Sequence, residues 1–178
     1  DKTGSFQTTN QLTPNAPNVP SAVSGCGDGT CDDSEDCSTC EADCGSCLAP
    51  AEVVINEIVA KAVDGGVDWI EIHNIGTDQA DVSGWTVQDD GGNVYALPTP
   101  TNILVGGYYL MTQDEFGFGL GKDDSVTLKN SAGTVIDVAD WNDGDAPEGS
   151  SWARIPNGTG PFVTTSVITP DAANQGGT

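Results

Sequence analysis

Basic side chains are scarce in this 178-residue sequence. Only five residues are Lys or Arg against 27 Asp and Glu, which gives a formal net charge of −22 at pH 7. Such an acidic chain repels nucleic acid and anionic membrane surfaces over most of its length, so we expect no nucleic-acid partner. Solubility alone, a saline environment and bound calcium each account for the acidic surface, and the sequence leaves all three open.

Long apolar runs are also missing, and histidine nearly so. No stretch reaches the ~18 consecutive apolar residues of a membrane-spanning helix, so we expect no membrane insertion. The chain starts at Asp1 without the features of a signal peptide, and we interpret it as already processed. His73, the only histidine, is predicted to be half-exposed on a strand, which argues against a zinc hydrolase or a Ser-His-Asp triad. We therefore predict a protein that is not an enzyme and has no catalytic residues.

Cysteine is concentrated in one short stretch, residues 26–47. An even number of cysteines packed this closely favours disulfides formed in an oxidising compartment, and hence an extracellular or cell-surface location. Their pairing does not follow from the sequence. The alternative is a zinc or iron–sulfur site built from the C-x-x-C pairs, but the spacer between the pairs is short and no histidine lies nearby. The cysteines are Cys26, Cys31, Cys37, Cys40, Cys44 and Cys47.

Carboxylates crowd between these cysteines, where Lys and Arg do not occur. Calcium binds carboxylate and carbonyl oxygens together, so a calcium site fits this composition, as does a merely solvated acidic loop. A second acidic turn at residues 140–145 has oxygen-bearing side chains and a glycine at its bend. The candidate calcium ligands are Asp28, Asp32, Glu35, Asp36 and Asp43 in the first stretch and Asp140, Asn142 and Asp145 in the second.

Residues 1–25 are rich in Thr, Asn, Ser, Pro and Gln and have too few apolar side chains to form a core. One interpretation is a semi-rigid spacer. The other is an assembly arm, in which Phe6, Thr8 and Leu12 lie on one side of an extended segment that adds a strand to the sheet edge of a neighbouring copy.

From residue 48 onwards, short runs rich in β-branched and aromatic residues alternate with turn signals. Residues 53–60 and 67–73 predict an opening hairpin, and Gly-containing turns at 89–92 and 130–133 predict two more. This spacing favours an antiparallel β-sandwich. We therefore expect an all-β protein with three parts: an extended arm (1–25), a small disulfide-rich acidic module (26–47) and a β-sandwich (48–178).

The sandwich region resembles the lamin-tail domain of secreted bacterial proteins. The resemblance lies in INEI at 55–58, DWIEIHN at 68–74 and VSGW at 82–85, and it continues to TPDAAN at 169–174. One departure is Asp171, where the family pattern has glycine. Residues 26–47 are similar to short Cys-Gly-Asp-Gly-x-Cys modules. The resemblance implies an immunoglobulin-like sandwich used for binding or assembly.

Two functions follow as expectations. The first is a secreted structural subunit that assembles into a fibre or matrix on or outside the cell, with the arm joining neighbours and calcium stabilising the assembly. The second is a module that binds a glycan or a surface protein through an aromatic platform formed by Trp141 and Trp152. Core packing is the competing role for both tryptophans.

Overall fold

A computed structural model of the chain describes residues 26–33, 35, 39–44, 51–63 and 66–177. The predicted arm and its residues Phe6, Thr8 and Leu12 lie outside these ranges. The chain divides into two compact units, residues 1–49 and residues 50–178. Within the described residues, no helix is long and apolar enough to cross a membrane.

Two interleaved disulfides hold the first unit together. Cys26 bonds to Cys40 and Cys31 bonds to Cys44, and a four-residue helix, α1 (Glu41–Cys44), ends at the second of these bonds. In the chain-entropy view, each bond closes a loop of about 15 residues and stabilises it by about 3 kcal/mol. The prediction of disulfides is thus confirmed for these four cysteines, while Cys37 and Cys47 lie outside the described residues. A zinc or iron–sulfur site using Cys40 and Cys44 is excluded because both sulfurs are already bonded.

The second unit is the predicted all-β sandwich of antiparallel sheets. A five-stranded sheet has the order β11-β10-β1-β2-β7, a four-stranded sheet has the order β5-β4-β8-β9, and β3 pairs with β6. The strands of the described residues are β1 (Val53–Val59), β2 (Trp69–Asn74), β3 (Ala80–Asp81), β4 (Thr86–Asp89), β5 (Val94–Ala96), β6 (Asn102–Ile103), β7 (Tyr108–Thr112), β8 (Asp124–Lys129), β9 (Val135–Trp141), β10 (Ser151–Arg154) and β11 (Phe162–Thr165).

The core lies between the two large sheets. Ile55 pairs with Ile72 and Ile58 with Ile70 across β1 and β2, and all four side chains are fully buried. Each such side chain contributes about 2 kcal/mol through burial. The four-stranded sheet supplies Val87, Val126, Leu128, Ala139 and Trp141 to the same core. The alternation of these residues along β4 and β8 is the periodicity that the sequence shows.

Two elements of the second unit were not expected from the sequence. Strand β10 is only four residues long and alternates buried Ser151 and Ala153 with half-buried Trp152 and Arg154. Helix α2 (Gln113–Phe116) follows β7. It begins where the Glu115 carboxylate accepts the backbone N–H of Thr112 at 2.8 Å. Propensity alone predicts neither, because both are too short to show a period.

Candidate functional site

Two acidic side chains lie fully buried on the outer face of the five-stranded sheet. Glu57 of β1 sits directly opposite Glu71 of β2, and both are 0% exposed. A shift in register at Asn56 allows both Asn56 and Glu57 to be buried in succession on β1. No Lys or Arg within the described residues forms an ion pair with either carboxylate. Their negative charge is therefore balanced by hydrogen-bond donors or by a bound proton.

The C-terminal segment, residues 166–174, supplies most of these donors. Glu57 accepts the hydroxyl of Thr169 at 2.8 Å and its backbone N–H at 3.2 Å, and it also accepts the hydroxyl of Ser151. Glu71 accepts the backbone N–H of Asp171 at 2.6 Å. The two carboxylates thereby fasten the C-terminal segment over the outer face of the sheet.

Three asparagine side chains extend this network. The amide nitrogen of Asn56 donates to Glu71 at 2.9 Å and to Asn157 at 3.1 Å, while its oxygen accepts the N–H of Gly158 at 3.0 Å. Asn174 donates to the backbone carbonyls of Asn56 at 2.8 Å and of Arg154 at 3.0 Å. These amides join β1, β10 and the C-terminal segment, so their role in the fold is structural.

Burial changes the acidity of one carboxyl group in the network. The pKa of Glu71 rises from 4.5 to about 7, chiefly because burial penalises the charged form. Hydrogen bonds from Asn56 and from the N–H of Asp171 oppose the rise, and the negative charge of Glu57 adds to it. Glu71 thus exchanges a proton near neutral pH.

His73 is fixed in the same region. Its ring stacks on Tyr108 with centroids 4.3 Å apart, and its two nitrogens lie 3.0 Å from the carbonyl of Gly107 and 3.2 Å from the amide of Asn157. It is 7% exposed. The prediction of a half-exposed histidine is therefore wrong, because the residues after β10 cover this face of the sheet.

An ion pair connects the two sheets at one side of the sandwich. Arg154 of β10 donates to both oxygens of Asp137 of β9, at 2.8 and 2.9 Å, and stacks 4.3 Å above the ring of Phe162. Asp137 also accepts the backbone N–H of Ile55 at 2.8 Å. Both bonds to Asp137 come from one guanidinium nitrogen, Nη2, while Nε donates to the carbonyl of Ile55 at 2.8 Å and Nη1 donates to that of Gly160 at 3.0 Å. Because all three nitrogens have partners, the arginine fixes β9 against β1 and β10.

The predicted two-tryptophan platform does not form. Trp141 is 1% exposed in the core, and its indole N–H donates to the carbonyl of Gly121 at 2.9 Å, so neither face is available to a ligand. Trp152 is half-buried and stacks on Phe162 with centroids 6.1 Å apart. The partly accessible aromatic pair is therefore Trp152 and Phe162, which the pairing of β10 with β11 brings together.

The acidic turn at residues 140–145 closes on itself. Asp145 accepts the backbone N–H and the side-chain amide of Asn142, at 3.0 and 3.1 Å, and these contacts lower the pKa of its carboxyl group. Asp140 is exposed, and its carbonyl accepts the indole N–H of Trp152. Asp143, between them, pairs with Lys122. The contacts of Asp145 are those of a self-capped turn, and the prediction of calcium ligands here stays untested.

In the first unit, Asp43 organises the loop that begins at Cys26. Its carboxylate accepts the backbone N–H groups of Gly27, Asp28 and Gly29. Gly27 and Gly29 adopt φ angles of 96° and 86°, which directs successive N–H groups towards one anion. The sulfurs of Cys26 and Cys40 lie close to the same carboxylate, but as a disulfide they are not metal ligands.

The remaining predicted ligands of this unit differ in their surroundings. Glu35 is 9% exposed, whereas Asp28 and Asp32 are exposed, and Asp36 lies outside the described residues. The backbone N–H of Thr30 donates to Asp28 at 2.9 Å. The pKa of Glu35 is raised first by loss of solvent and then by the charges of Asp32, Asp43 and Asp28, with a backbone N–H at Asp32 acting in the opposite direction.

Sequence reasoning did not find the outer-face network. Its main residues are Asn56, Glu57, Glu71, Asn157, Thr169 and Asn174. One signal was present in the sequence: Glu71 lies between Ile70 and Ile72, and Glu57 lies in the run Ile-Asn-Glu-Ile at 55–58, so both acids stand inside apolar strand segments. An acid at such a position requires partners.

Comparison with known proteins identifies the larger unit. The family model of the lamin tail domain matches residues 48–143, which span β1 to β9. Strands β10 and β11 and the C-terminal segment follow the matched range. No curated protein matches the chain.

Proposed function

Because the chain belongs to the lamin tail domain family, we propose that it is a secreted, non-enzymatic structural subunit whose N-terminal arm joins neighbouring copies. The family domain is an immunoglobulin-like fold of the binding or structural kind. The two disulfides fit an oxidising, extracellular environment.

The contacts of the buried polar side chains favour a structural role for the protein. His73, Glu57 and Glu71 are the side chains that would first be considered for proton transfer. Each is enclosed and contacts fixed partners that tie the C-terminal segment and the 157–158 loop to the sheet. Such contacts stabilise one conformation, which suits a module that carries load or presents a surface.

The assembly proposal rests on the exposed apolar surface of β9. This strand ends the four-stranded sheet, and Val135, Ile136 and Val138 are 53%, 37% and 45% exposed. An edge strand with exposed β-branched side chains is a template for an extended segment of another chain. The occupant that we propose is the arm of a second copy, with Phe6 and Leu12 against these three side chains.

Charge favours the arm over other parts of the chain as the occupant. Residues 1–25 contain one acid, Asp1, and one base, Lys2, whereas the whole chain carries a net charge of −22. The arm is therefore the segment that an acidic neighbour repels least. Calcium ions between adjacent sandwiches would reduce the remaining repulsion.

Sedimentation velocity of the oxidised chain, with and without millimolar calcium, tests this proposal. We expect large species that disappear when residues 1–25 are deleted and when Val138→Glu places a charge on the β9 surface. Val94→Glu is the matched control, since Val94 is 56% exposed on β5, the opposite edge of the same sheet. Assembly that survives Val138→Glu, or that Val94→Glu also abolishes, would contradict the role of β9, and assembly that survives the deletion would contradict the role of the arm.

A glycan- or protein-binding role is favoured by a separate observation, the partly accessible pair Trp152 and Phe162. Stacked aromatic side chains present flat apolar faces to a sugar or a side chain. A glycan array should then show binding that Phe162→Ala weakens and Val94→Ala does not. Equal binding by both variants would rule out this surface.

A further inference from the structure

The C-terminal segment is held on the sandwich by polar contacts. Along residues 166–174 only Thr169 and Asn174 are buried, while Ile168 is 37% exposed and Pro170 is exposed. These residues form neither strand nor helix. Because the segment buries so little apolar surface, hydrophobic burial contributes little to its attachment, and it should detach more readily than the strands beneath it.

Two buried acids provide the central attachments of the segment. Glu57 accepts the hydroxyl and the backbone N–H of Thr169. Glu71 accepts the backbone N–H of Asp171 at 2.6 Å. Glu57 and Glu71 face each other across β1 and β2, and both are 0% exposed. The segment therefore closes over two carboxyl groups that have no contact with water, and its detachment would let water reach both.

The charged groups that act on Glu71 are acids. Glu57 on β1 and Asp171 on the C-terminal segment both add negative charge beside it. No Lys or Arg of the described residues forms an ion pair with Glu57 or Glu71. Arg154 of β10 is engaged with a carboxylate of the other sheet. Ionisation of Glu71 thus brings like charges together in a buried place, which is unfavourable while the segment stays closed.

The side of β7 adds no charge at the position of Glu71. Leu110 is the cross-strand partner of Glu71 on this strand. His73, two positions further along β2, stacks on Tyr108, and its ring nitrogens lie beside a backbone carbonyl and the amide of Asn157. The hydroxyl of Tyr108 accepts a hydrogen bond from the same amide at 3.1 Å. Both polar side chains are therefore engaged by groups other than Glu71.

The proton on Glu71 and the position of the segment are coupled. In the closed form the pKa of Glu71 is about 7, whereas water at an opened site would return the pKa towards 4.5. The open form therefore gains population as the pH rises from the lower to the higher of these two values. Above the pKa of the closed form the gain levels off, because Glu71 is then ionised in both forms.

We propose that the C-terminal segment is a proton-dependent strap, which is closed on the sheet while Glu71 carries its proton and opens when Glu71 ionises beside Glu57. Opening would uncover the outer face of β1 and β2, with both carboxylates and the side chain of Asn56. The core between the two sheets stays packed, since its side chains lie on the opposite face of these strands. The strap belongs to a single copy of the chain and does not depend on assembly through the arm.

Hydrogen exchange of the oxidised, full-length chain, followed by mass spectrometry of peptic peptides from pH 5 to pH 8, tests the proposal. After correction for the intrinsic exchange rate, the peptide that contains Thr169 and Asp171 should lose protection by at least about tenfold between pH 5 and pH 7. A peptide from β8 should stay better protected at every pH, because the segment opens without the core. In Glu71→Gln, protection of the segment should not change with pH.

Two further variants separate the proton on Glu71 from a general loss of structure. Glu57→Gln retains an oxygen for the contacts of Thr169 and can donate its NH₂ to Ser151, but it removes a charge that raises the pKa of Glu71. Its loss of protection should therefore level off at a lower pH than in the wild type. Glu52→Gln, at an exposed position, is the matched control and should reproduce the wild-type profile.

Four outcomes would overturn the proposal. Protection of the segment could be constant with pH in the wild type, or could fall equally in Glu71→Gln. The profile of Glu57→Gln could match that of the wild type, which would mean that the two acids are not coupled. The segment and β8 could be equally protected at every pH, which would mean that only global unfolding exposes the segment.

Discussion

Replacing Glu71 with glutamine should remove a pH-dependent loss of stability from the sandwich. The folded-state pKa of Glu71 is about 7, above its ordinary value of 4.5. A group with a raised pKa contributes its full stabilisation below the unfolded value, and that stabilisation is lost as the pH rises through the folded value. Stability should therefore fall as the medium passes from acid to slightly alkaline.

The size of this loss of stability follows from the pKa shift of Glu71. One pKa unit corresponds to about 1.4 kcal/mol, so ionising Glu71 in its buried position costs the folded state about 3 kcal/mol in full. About 2 kcal/mol of this falls between roughly pH 5.5 and pH 8.5, where most exposed carboxyl groups are already ionised. The buried location of Glu71 means that solvent screens little of this cost.

Urea unfolding followed by tryptophan fluorescence, at several pH values in this range, is the assay. All four tryptophans lie in the sandwich unit. At the acid end Glu71→Gln should be less stable than the wild type, because the new NH₂ group faces a donor, either the amide of Asn56 or the N–H of Asp171. That mismatch costs about 1–3 kcal/mol. As the pH rises, the difference in the free energy of unfolding between the wild type and Glu71→Gln should shrink by about 2 kcal/mol.

The matched control is Glu52→Gln. Glu52 is exposed and directly precedes β1, so its neutralisation changes net charge by the same amount without touching the buried network. Its stability curve should run parallel to that of the wild type. Parallel curves for Glu71→Gln and wild type would refute the reasoning, since they would mean that Glu71 does not bind its proton more tightly in the folded state.

Two further substitutions test the packing of this face and the contact between the sheets. A Cβ at Gly158 would lie 2.9 Å from the ring of His73 at a φ of 69°, so Gly158→Ala should lower the free energy of unfolding by roughly 2–4 kcal/mol. Gly133→Ala has a similar φ but open space, and should cost only about 1 kcal/mol in the same urea titration. Arg154→Lys cannot reproduce the bonds that the three guanidinium nitrogens donate together to Asp137, Ile55 and Gly160, and it should cost roughly 1–3 kcal/mol. Lys61→Met, in an exposed ion pair, should change stability by less than about 1 kcal/mol. If Gly158→Ala and Gly133→Ala lowered the free energy of unfolding equally, or if Arg154→Lys and Lys61→Met did, the packing role assigned to Gly158 or the contact role assigned to Arg154 would be refuted.

Most of the sandwich could be predicted from local patterns. The apolar alternation along β4 and β8, and the Gly-containing turns that follow β4 and β8, specify strands and hairpins without long-range information. The family resemblance supplied the order of these elements. Strand β10 was missed because its inward residues, Ser151 and Ala153, are small, and its role depends on pairing with β1, more than ninety positions earlier in the chain.

The surroundings of individual acids were less predictable. With 27 acidic residues, nearly every acidic turn resembles a cation site, and composition does not separate an acid that caps its own turn from one without donors. The two predicted calcium regions illustrate this. Asp145 is satisfied by Asn142 three residues away, while Glu35 lies buried beside other acids. Only the placement of the backbone donors distinguishes the two.

The outer-face network depends on contacts still more distant in sequence. Glu57 is bonded to Thr169 and Glu71 to Asp171, about 100 residues apart, so neither acid has a local partner that a pattern could reveal. Asp171 stands where the family pattern has glycine, and its φ of 56° keeps the left-handed conformation that a glycine would adopt. Aspartate tolerates this conformation better than most residues. The turn therefore still delivers its N–H to Glu71, which explains why the departure from the pattern leaves the C-terminal segment fastened to the sheet.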